Sequence, residues 1–419
     1  MKTARILLLL AAFLLPGREL VAQLPEAGTA GFSMGGNYSA AARGYDAIAW
    51  NPANLGFSSN PSFSINLLTV GGTTGLDPVK FNDIADFGGK IIPATVKEQW
   101  LQSIGSGSER GSVDGGVSVI ALSIGKFGFQ AGIVGTGEMK LNQDAAEAML
   151  YGNAGRTGTA KSFNFNGSSA NGSTFGTGAV SIAIPVMSGN HGEEFSIGVT
   201  GKYIAGIAAG RAMDIGSTVT PSNISVQFPS IFTDTNHYGN SGSGVGVDVG
   251  LAWTNGHTTF GATARNVMNT FKWSPTAFSA SLGTVTFDGT KNTSNFQDTT
   301  YTLAPVALRN ALEQEKFQPE IAAGLAHHMG SLLITIDGHQ RLGDGIEIGP
   351  KMHLGAGAEF TGIPLLALRA GAAVVSDGFR VAGGFGLTLG SYELGAGVSS
   401  RSKNGGQDLG FILSLLTIH

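Results

Sequence analysis

Apolar residues alternate with small or polar ones through residues 351–418, the last part of the chain. One apolar line takes every second position in each segment, as in Leu366, Leu368, Ala370, Ala372 and Val374. A period of two is typical of β-strands, because successive side chains leave opposite faces of a pleated backbone. Short turns such as Asp377-Gly378 and Gly390-Ser391 join the segments, which predicts that neighbouring strands pair antiparallel.

The second face of these strands consists of Gly, Ala and Ser with isolated charges, and charged residues make up only 13% of the chain. A soluble sandwich would expose a charge-rich face, whereas a transmembrane barrel turns apolar side chains to lipid and fills its lumen with small and polar ones. Strands of about ten residues, tilted by about 45°, are long enough to cross a bilayer. The 65 glycines suit a sheet that bends, closes and packs internal groups tightly. The pattern therefore predicts an all-β fold, a transmembrane antiparallel β-barrel.

Residues 1–22 have the pattern of a secretory signal peptide. Lys2 and Arg5 flank the start of an apolar run over residues 6–15, and cleavage is expected after Ala22. No later stretch approaches the roughly 18–20 apolar residues that a helical span needs. An exported chain with amphipathic strands is expected in the outer membrane of a Gram-negative-type bacterium, surrounded by outer-membrane lipid.

Strand patterns recur between long irregular stretches over the rest of the chain. Residues 23–60 are too apolar for a free tail and too irregular for a strand, so they are expected to fold inward as an N-terminal hatch. Residues 61–419 are expected to form the barrel, with long loops near residues 74–112, 140–174, 207–242 and 268–316. The patterns allow 14 or 15 strands, and we predict 14 because bacterial single-chain barrels have even numbers.

The hatch segment carries a motif that resembles a known family. Its residues run Gly31-Phe32-Ser33-Met34-Gly35-Gly36 and then Ala40-Ala41-Ala42-Arg43-Gly44-Tyr45-Asp46-Ala47-Ile48-Ala49-Trp50-Asn51-Pro52-Ala53. This stretch resembles the N-terminal hatch of FadL/PorV-like outer-membrane proteins, where a Gly/Ala-rich segment, an Asp-Ala pair and an Asn-Pro-Ala turn precede the first strand. The resemblance implies a 14-stranded barrel with an N-terminal plug. The hatch residues it singles out are Asp46, Ala47, Trp50, Asn51, Pro52 and Ala53.

The resemblance implies two different functions. Founding members import long-chain fatty acids or other hydrophobic compounds, which implies a channel for hydrophobic or amphipathic, fatty-acid-like small molecules that is gated by the hatch. PorV-type members serve protein secretion and surface attachment, which implies a scaffold barrel that does not transport. The expected partner is a hydrophobic small molecule in the first case and a secretion-machinery protein in the second.

Several other chemistries are disfavoured by the residues. The chain has no cysteine, which excludes thiolate metal sites and cysteine nucleophiles, and a net charge of −4 without a basic block disfavours nucleic acid. The eight histidines show no metal-ligand spacing. Residues 31–35 match the G-x-S-x-G nucleophile elbow, but no strand pattern leads into Ser33 as that chemistry requires. We therefore expect neither an enzyme nor a cofactor or metal.

Isolated charges lie on the face opposite the apolar lines. They are Lys202, Asp248, Arg265, Glu320, Asp337, Glu359, Arg369, Arg380 and Glu393. The last four fall on consecutive strands, so that acid and base can meet across strand pairs. One interpretation is an internal ion-pair network that satisfies buried charges. The other is a polar conduit, or an anchor where an arginine holds the headgroup of an amphiphile.

Overall fold

The computed structural model describes residues 24–104, 108–189, 192–287, 292–346, 349–403 and 406–418. The predicted signal peptide lies outside the described residues and stays a prediction.

Fourteen long strands form the wall of one closed antiparallel barrel within these ranges. They are β1 (Phe63–Leu76), β2 (Ser108–Ile124), β3 (Phe127–Asn142), β4 (Ser169–Ser188), β5 (Glu194–Met213), β6 (Gly242–Thr254), β7 (Thr258–Asn269), β8 (Glu320–Met329), β9 (Leu332–Arg341), β10 (Met352–Ile363), β11 (Leu366–Val375), β12 (Gly378–Leu389), β13 (Tyr392–Lys403) and β14 (Gln407–Ile418). Each strand pairs with the next one along the chain, and β14 returns to β1, with Ile65 opposite Ile418. The predicted fold class and strand number are confirmed.

The predicted apolar lines face outward. In β4, Val180 and Ile182 are 60% and 42% exposed, whereas the alternate residues Ala179 and Ser181 are buried toward the lumen. The same alternation holds in β12, where Phe379 and Val381 are exposed and Arg380 between them is buried. An apolar outer band around a small and polar interior is the arrangement of a transmembrane barrel of the outer-membrane type.

The two ends of the barrel differ. Tight turns such as residues 125–126, 330–331 and 390–391 lie at one end, and the long connections after β1, β3, β5 and β7 lie at the other. Outer-membrane barrels have short periplasmic turns and longer extracellular loops, so the end with the long connections is the outer one. Strands β2, β4 and β5 extend further toward this end than the sequence predicts. The outer end of β4 is rich in Gly, Ser and Thr, and that of β5 is rich in Gly and Ala. The alternation there is weak, and pairing with neighbours, such as Ser169 with Met213, decides the structure.

Short helices occur in the hatch and in the outer loops. The hatch contains α1 (Ala30–Ser33) and α2 (Ala47–Trp50), and the loops contain α3 (Phe81–Phe87), α4 (Ala94–Ile104), α5 (Gln143–Tyr151) and α6 (Val306–Glu313). In α5, the side chain of Asn142 caps the first turn by accepting a hydrogen bond from the backbone N–H of Ala145 at 2.8 Å. None of the helices in the described ranges is long and apolar enough to cross a membrane.

Short strands complete the outer loops. Ser230–Thr233, Lys272–Trp273, Phe278–Leu282 and Gln297–Thr300 join the main sheet at its outer end. A separate small sheet contains Phe163–Asn164, Thr218–Val219, Ile224–Val226, Val285–Phe287 and Asn292–Ser294.

Candidate functional site

The hatch lies inside the barrel and is hydrogen-bonded to strands on different sides of the lumen. Thr69 of β1 donates to the carbonyl of Ala27 at 2.6 Å, and Thr335 of β9 donates to the carbonyl of Asn37 at 2.6 Å. These two hatch carbonyls are thus satisfied by side chains of the wall. The predicted N-terminal plug is therefore present.

Glycines in the wall make room for the hatch backbone. A Cβ added to Gly198 of β5 would overlap the backbone at Pro52 and Ala53, and one added to Gly371 of β11 would overlap the backbone of Met34. The hatch therefore approaches the wall more closely than any residue with a side chain would allow. This close approach accounts for part of the high glycine content.

The Asn-Pro-Ala turn fixes the hatch to strand β6. The Asn51 side chain accepts a hydrogen bond from the backbone N–H of Ala53 at 3.1 Å, which caps the 3-10 turn Pro52–Gly56. Its amide nitrogen donates to the carbonyl of Leu251 at 3.1 Å. One fully buried side chain thus shapes the turn and attaches it to the wall.

The other predicted hatch residues are also buried in the lumen. Ala47 packs in a small apolar cluster with Leu55 and Ala183 of β4. Trp50 is 3% exposed and contacts the ring of Tyr38 edge-on, with ring centroids 5.9 Å apart. It therefore anchors the centre of the hatch.

Asp46 lies beside a second buried carboxylate of the hatch. A Cβ on Gly28 would be 2.9 Å from both carboxylate oxygens of Asp46, which shows how closely the first hatch residues pack on it. Burial, followed by the charge of Asp46, raises the pKa of Glu26 well above its ordinary value. The hatch is thus docked with an acid whose ionised form is disfavoured.

Most of the predicted lumen charges lie in separate ion-paired groups. Lys202 of β5 lies 2.6 Å from Asp248 of β6 and donates to the Oδ1 atom of Asn266 at 2.8 Å. Asn266 sits in a bulge of β7 with a φ of 52°, and its backbone N–H donates to Asp248 at 2.7 Å. The bulge therefore supplies a second hydrogen-bond acceptor, next to Asp248, for a buried lysine.

A second ion pair touches the hatch directly. Arg265 of β7 lies 2.5 Å from Glu320 of β8 and donates to the carbonyl of Trp50 at 3.1 Å. Its guanidinium group also lies over the Trp50 ring, 5.8 Å from the centroid. Together with Lys202 and Asp248, this pair forms a charged layer at one level of the lumen.

Three of the four charges on consecutive strands come together. Arg369 of β11 lies 2.6 Å from Glu359 of β10 and 3.2 Å from Glu393 of β13, and it donates to the hydroxyl of Thr29 at 3.3 Å. The fourth, Arg380 of β12, is fully buried over the ring of Phe32. Both arginines thus face the first helix of the hatch.

Strand β9 contributes further contacts that sequence reasoning missed in part. Asp337 accepts a hydrogen bond from the backbone N–H of Ser39 at 3.0 Å. His339, two residues on, contacts the carbonyl of Gly36 at 3.2 Å and stacks on His353, with ring centroids 4.2 Å apart. His339 was missed because the predicted strand ended at Asp337; the period-two pattern, continued by one step, would have placed it in the lumen.

Aromatic residues of the long connection after β7 pack against the outer part of the lumen wall. Phe271 and Phe317 lie against Phe175 of β4, with ring centroids 5.3 and 4.9 Å away. The Phe271 ring also meets Trp273 edge-on at 5.0 Å. This cluster could not be predicted, because its members come from separate parts of the chain and have no common period.

One cavity lies among the outer loops and another lies beside the hatch. An apolar pocket of about 360 Å³ lies among the outer loops, between α5 and residues 165–168 and 219–228. A polar cavity of about 90 Å³ lies between the hatch and the wall, next to Arg43, Tyr45, Arg369 and Glu393. In the described part of the chain, no group of three or more His, Cys, Asp or Glu side chains is placed to hold a metal ion.

The fold and the lumen define a transmembrane β-barrel of the outer-membrane type with an internal N-terminal hatch. No protein-family model matches the chain, and no curated protein matches it in sequence. Its structure is similar to the toluene transporter TodX of Pseudomonas putida, with 12% identity, 96% of this chain and 98% of that chain covered, and a TM-score of 0.50.

Two further solved structures have the same fold. The monoaromatic hydrocarbon channel CymD is 11% identical over 95% of this chain and 98% of its own, with a TM-score of 0.52. A TodX deltaS2S3 mutant channel is 13% identical over 93% and 97%, with a TM-score of 0.53. The resemblance to FadL-like proteins is thus confirmed as a shared fold, and the comparisons do not single out PorV-type proteins.

Proposed function

We propose that this protein is an outer-membrane channel for hydrophobic small molecules and that the hatch is its gate. The observation that carries the proposal is the apolar pocket at the outer end of a barrel that shares its fold with hydrocarbon channels. A pocket of about 360 Å³ is within the size range of small-molecule sites.

The pocket lining favours uncharged ligands over fatty acids. Ser168 is its one residue with a polar side chain, among apolar neighbours such as Leu141, Met149 and Phe228. Glu147 lies on α5, the helix that lines one side of the pocket, and its Oε2 atom is already paired with the Nζ atom of Lys161 at 2.8 Å. Burying a carboxylate without a partner is costly, so a neutral hydrocarbon or alcohol fits this site better than a fatty-acid anion.

The hatch has to move for a ligand to reach the periplasm. The cavity beside it is polar and only about 90 Å³, which is room for a few water molecules. Asn51, Arg265 and Thr335 hold the hatch to three different strands. Gating by the hatch therefore means breaking a set of individually modest hydrogen bonds.

One observation favours a second candidate, a barrel that scaffolds protein export and does not transport. The hatch and the aromatic residues after β7 both occupy the lumen, which is an arrangement that a scaffold would tolerate. In that case we expect a stoichiometric protein partner and no ligand.

Extraction in mild detergent, followed by native mass spectrometry, separates the two candidates. We expect the wild-type protein to bind n-decanol saturably and more tightly than decanoate. Ala148→Trp fills the pocket from α5 and should abolish binding, whereas Gln102→Trp on the exposed face of α4 should not. A protein that co-purifies at equal stoichiometry, together with an absence of decanol binding, would contradict the channel and support the scaffold.

A further inference from the structure

The connection between β7 and β8 turns the aromatic residues near both of its ends into the barrel. Phe271 and Trp273 at its start are 2% and 7% exposed, and Phe317 at its end is equally buried. Between them, Leu308 and Leu312 of α6 point into the same core. A loop that buries its apolar residues in this way behaves as a packed element.

The wall is shaped to receive this segment. A Cβ on Gly206 of β5 would overlap the ring of Trp273, and a Cβ on Gly244 of β6 would overlap the backbone of Phe271. Gly198 and Gly371 make room for the hatch in the same manner. The barrel therefore has two sets of lumen glycines for two internal segments.

Glu315 ties both ends of the segment to the wall. It accepts a hydrogen bond from the indole N–H of Trp273 at 2.7 Å and forms an ion pair with Arg211 of β5. Ser173 of β4 donates to the same carboxylate at 3.4 Å. The carboxylate and Arg211 are each about nine-tenths buried, so the pair is largely shielded from solvent.

The charged layer separates this segment from the hatch. Arg265 donates to the hatch carbonyl of Trp50, and Asn266 donates at 3.2 Å to the carbonyl of Gln318, next to Phe317. The two internal segments thus contact the layer through adjacent residues of β7 and do not replace one another.

From these contacts we infer that residues 271–282 and 301–317 form a second, outer plug, held closed by Glu315, which shuts the lumen independently of the hatch. This inference goes beyond the proposed function, because it holds for a transporter and for a scaffold. A channel built this way opens only when both segments move.

A thiol reporter inside the outer plug tests the inference. The chain has no cysteine, and Ala280 is fully buried in the plug, so Ala280→Cys supplies a single thiol. We expect Glu315→Gln to raise its rate of labelling by an external maleimide about 10- to 100-fold, as for loss of a hydrogen-bonded charge. Asp344→Asn, which removes the exposed ion pair with Lys351, is the matched control and should change nothing.

Conductance in planar bilayers supplies the second readout. Deleting residues 24–56 should leave the barrel closed to ions while the outer plug is intact, and adding Glu315→Gln should produce open events. Heat-modifiable gel mobility checks that each variant is folded. Equal labelling in wild type and Glu315→Gln, or full conductance after the hatch deletion alone, would overturn the inference.

Discussion

Gly198 offers the sharpest test of how the hatch is held. A methyl group at this position of β5 would overlap the hatch backbone at Pro52 and Ala53, whereas one at Gly201 on the same strand meets no atom within 4 Å. Gly198→Ala therefore strains the docked hatch, and Gly201→Ala is its control with the same change in backbone propensity. Overpacking of this kind costs about 1–3 kcal/mol.

This strain raises the fraction of molecules in which the hatch is undocked from the wall. Because about 1.4 kcal/mol corresponds to a tenfold change, the undocked fraction should rise about 5- to 150-fold. Ser33 is fully buried in the hatch, and Ser33→Cys places a single thiol there with little change in shape. The labelling rate of this thiol in the detergent-solubilised barrel reports the undocked fraction.

If Gly198→Ala and Gly201→Ala label at the same rate, the wall glycines do not set the position of the hatch. A loss of heat-modifiable gel mobility in Gly198→Ala alone would show that the methyl group disrupts the barrel instead.

Three further predictions concern stability, measured by unfolding in detergent. Asp248→Asn leaves Lys202 buried without its carboxylate and should cost about 3–5 kcal/mol, and a cost below about 1 kcal/mol would contradict a buried ion pair. In α5, burial alone would raise the pKa of Glu147, but hydrogen bonds, first that of Lys161, lower it overall. The stabilisation by Glu147 is therefore complete above the ordinary carboxyl pKa and is lost as the pH falls through the lowered value, so Glu147→Gln should weaken the acid sensitivity. The raised pKa of Glu26 has the opposite effect on stability. As the pH rises above the ordinary carboxyl range, Glu26 ionises more readily in the unfolded chain than in the folded one, so the free energy of unfolding falls. Glu26→Gln should therefore remove a loss of stability between acidic and neutral pH, and an unchanged pH profile would contradict burial of this acid.

The wall of the barrel could be predicted because its information is local. Strands β10–β14 alternate over most of their length, and tight turns set their order, so the pairing follows largely from neighbouring residues. The outer ends of β2, β4 and β5 were cut short in the prediction, because their many small residues, mainly Gly, Ala and Ser, carry only a weak period-two signal. Their structure depends on the partner strand.

The charges show where local information ends. Arg369 faces Glu359 directly in the ladder, as strand adjacency suggests. Arg380 lies opposite Ala373 and Arg401 instead. These neighbours could not be predicted, because the sequence does not define the register of β12 against its partner strands. The position of Arg380 over Phe32 depends on how the hatch enters the lumen, which only the folded chain defines.

The outer plug was beyond the sequence for a related reason. Phe175, Phe271 and Phe317 are far apart in the chain, and each stands in a segment without helical or strand periodicity. Their contacts join distant parts of the chain. The wall glycines that make room for these aromatic residues cannot be distinguished from turn glycines in the sequence. The sequence predicted a long loop here, and the structure shows that its ends pack inside the barrel.

Locking the hatch to the wall shows whether the proposed channel depends on movement of the hatch. A Cβ at Gly395 of β13 would lie 3.2 Å from the Cβ of Thr29, close to the separation of about 3.5–4.5 Å in disulfides, so Thr29→Cys with Gly395→Cys provides a reducible lock. The measurement is the initial rate of radiolabelled n-decanol uptake by bacteria whose own channels of this fold have been deleted. We predict that the oxidised lock lowers uptake to the level of cells without the protein and that reduction restores it. Uptake that is the same in the oxidised and reduced states, or wild-type uptake no faster than without the protein, would contradict a hatch-gated channel.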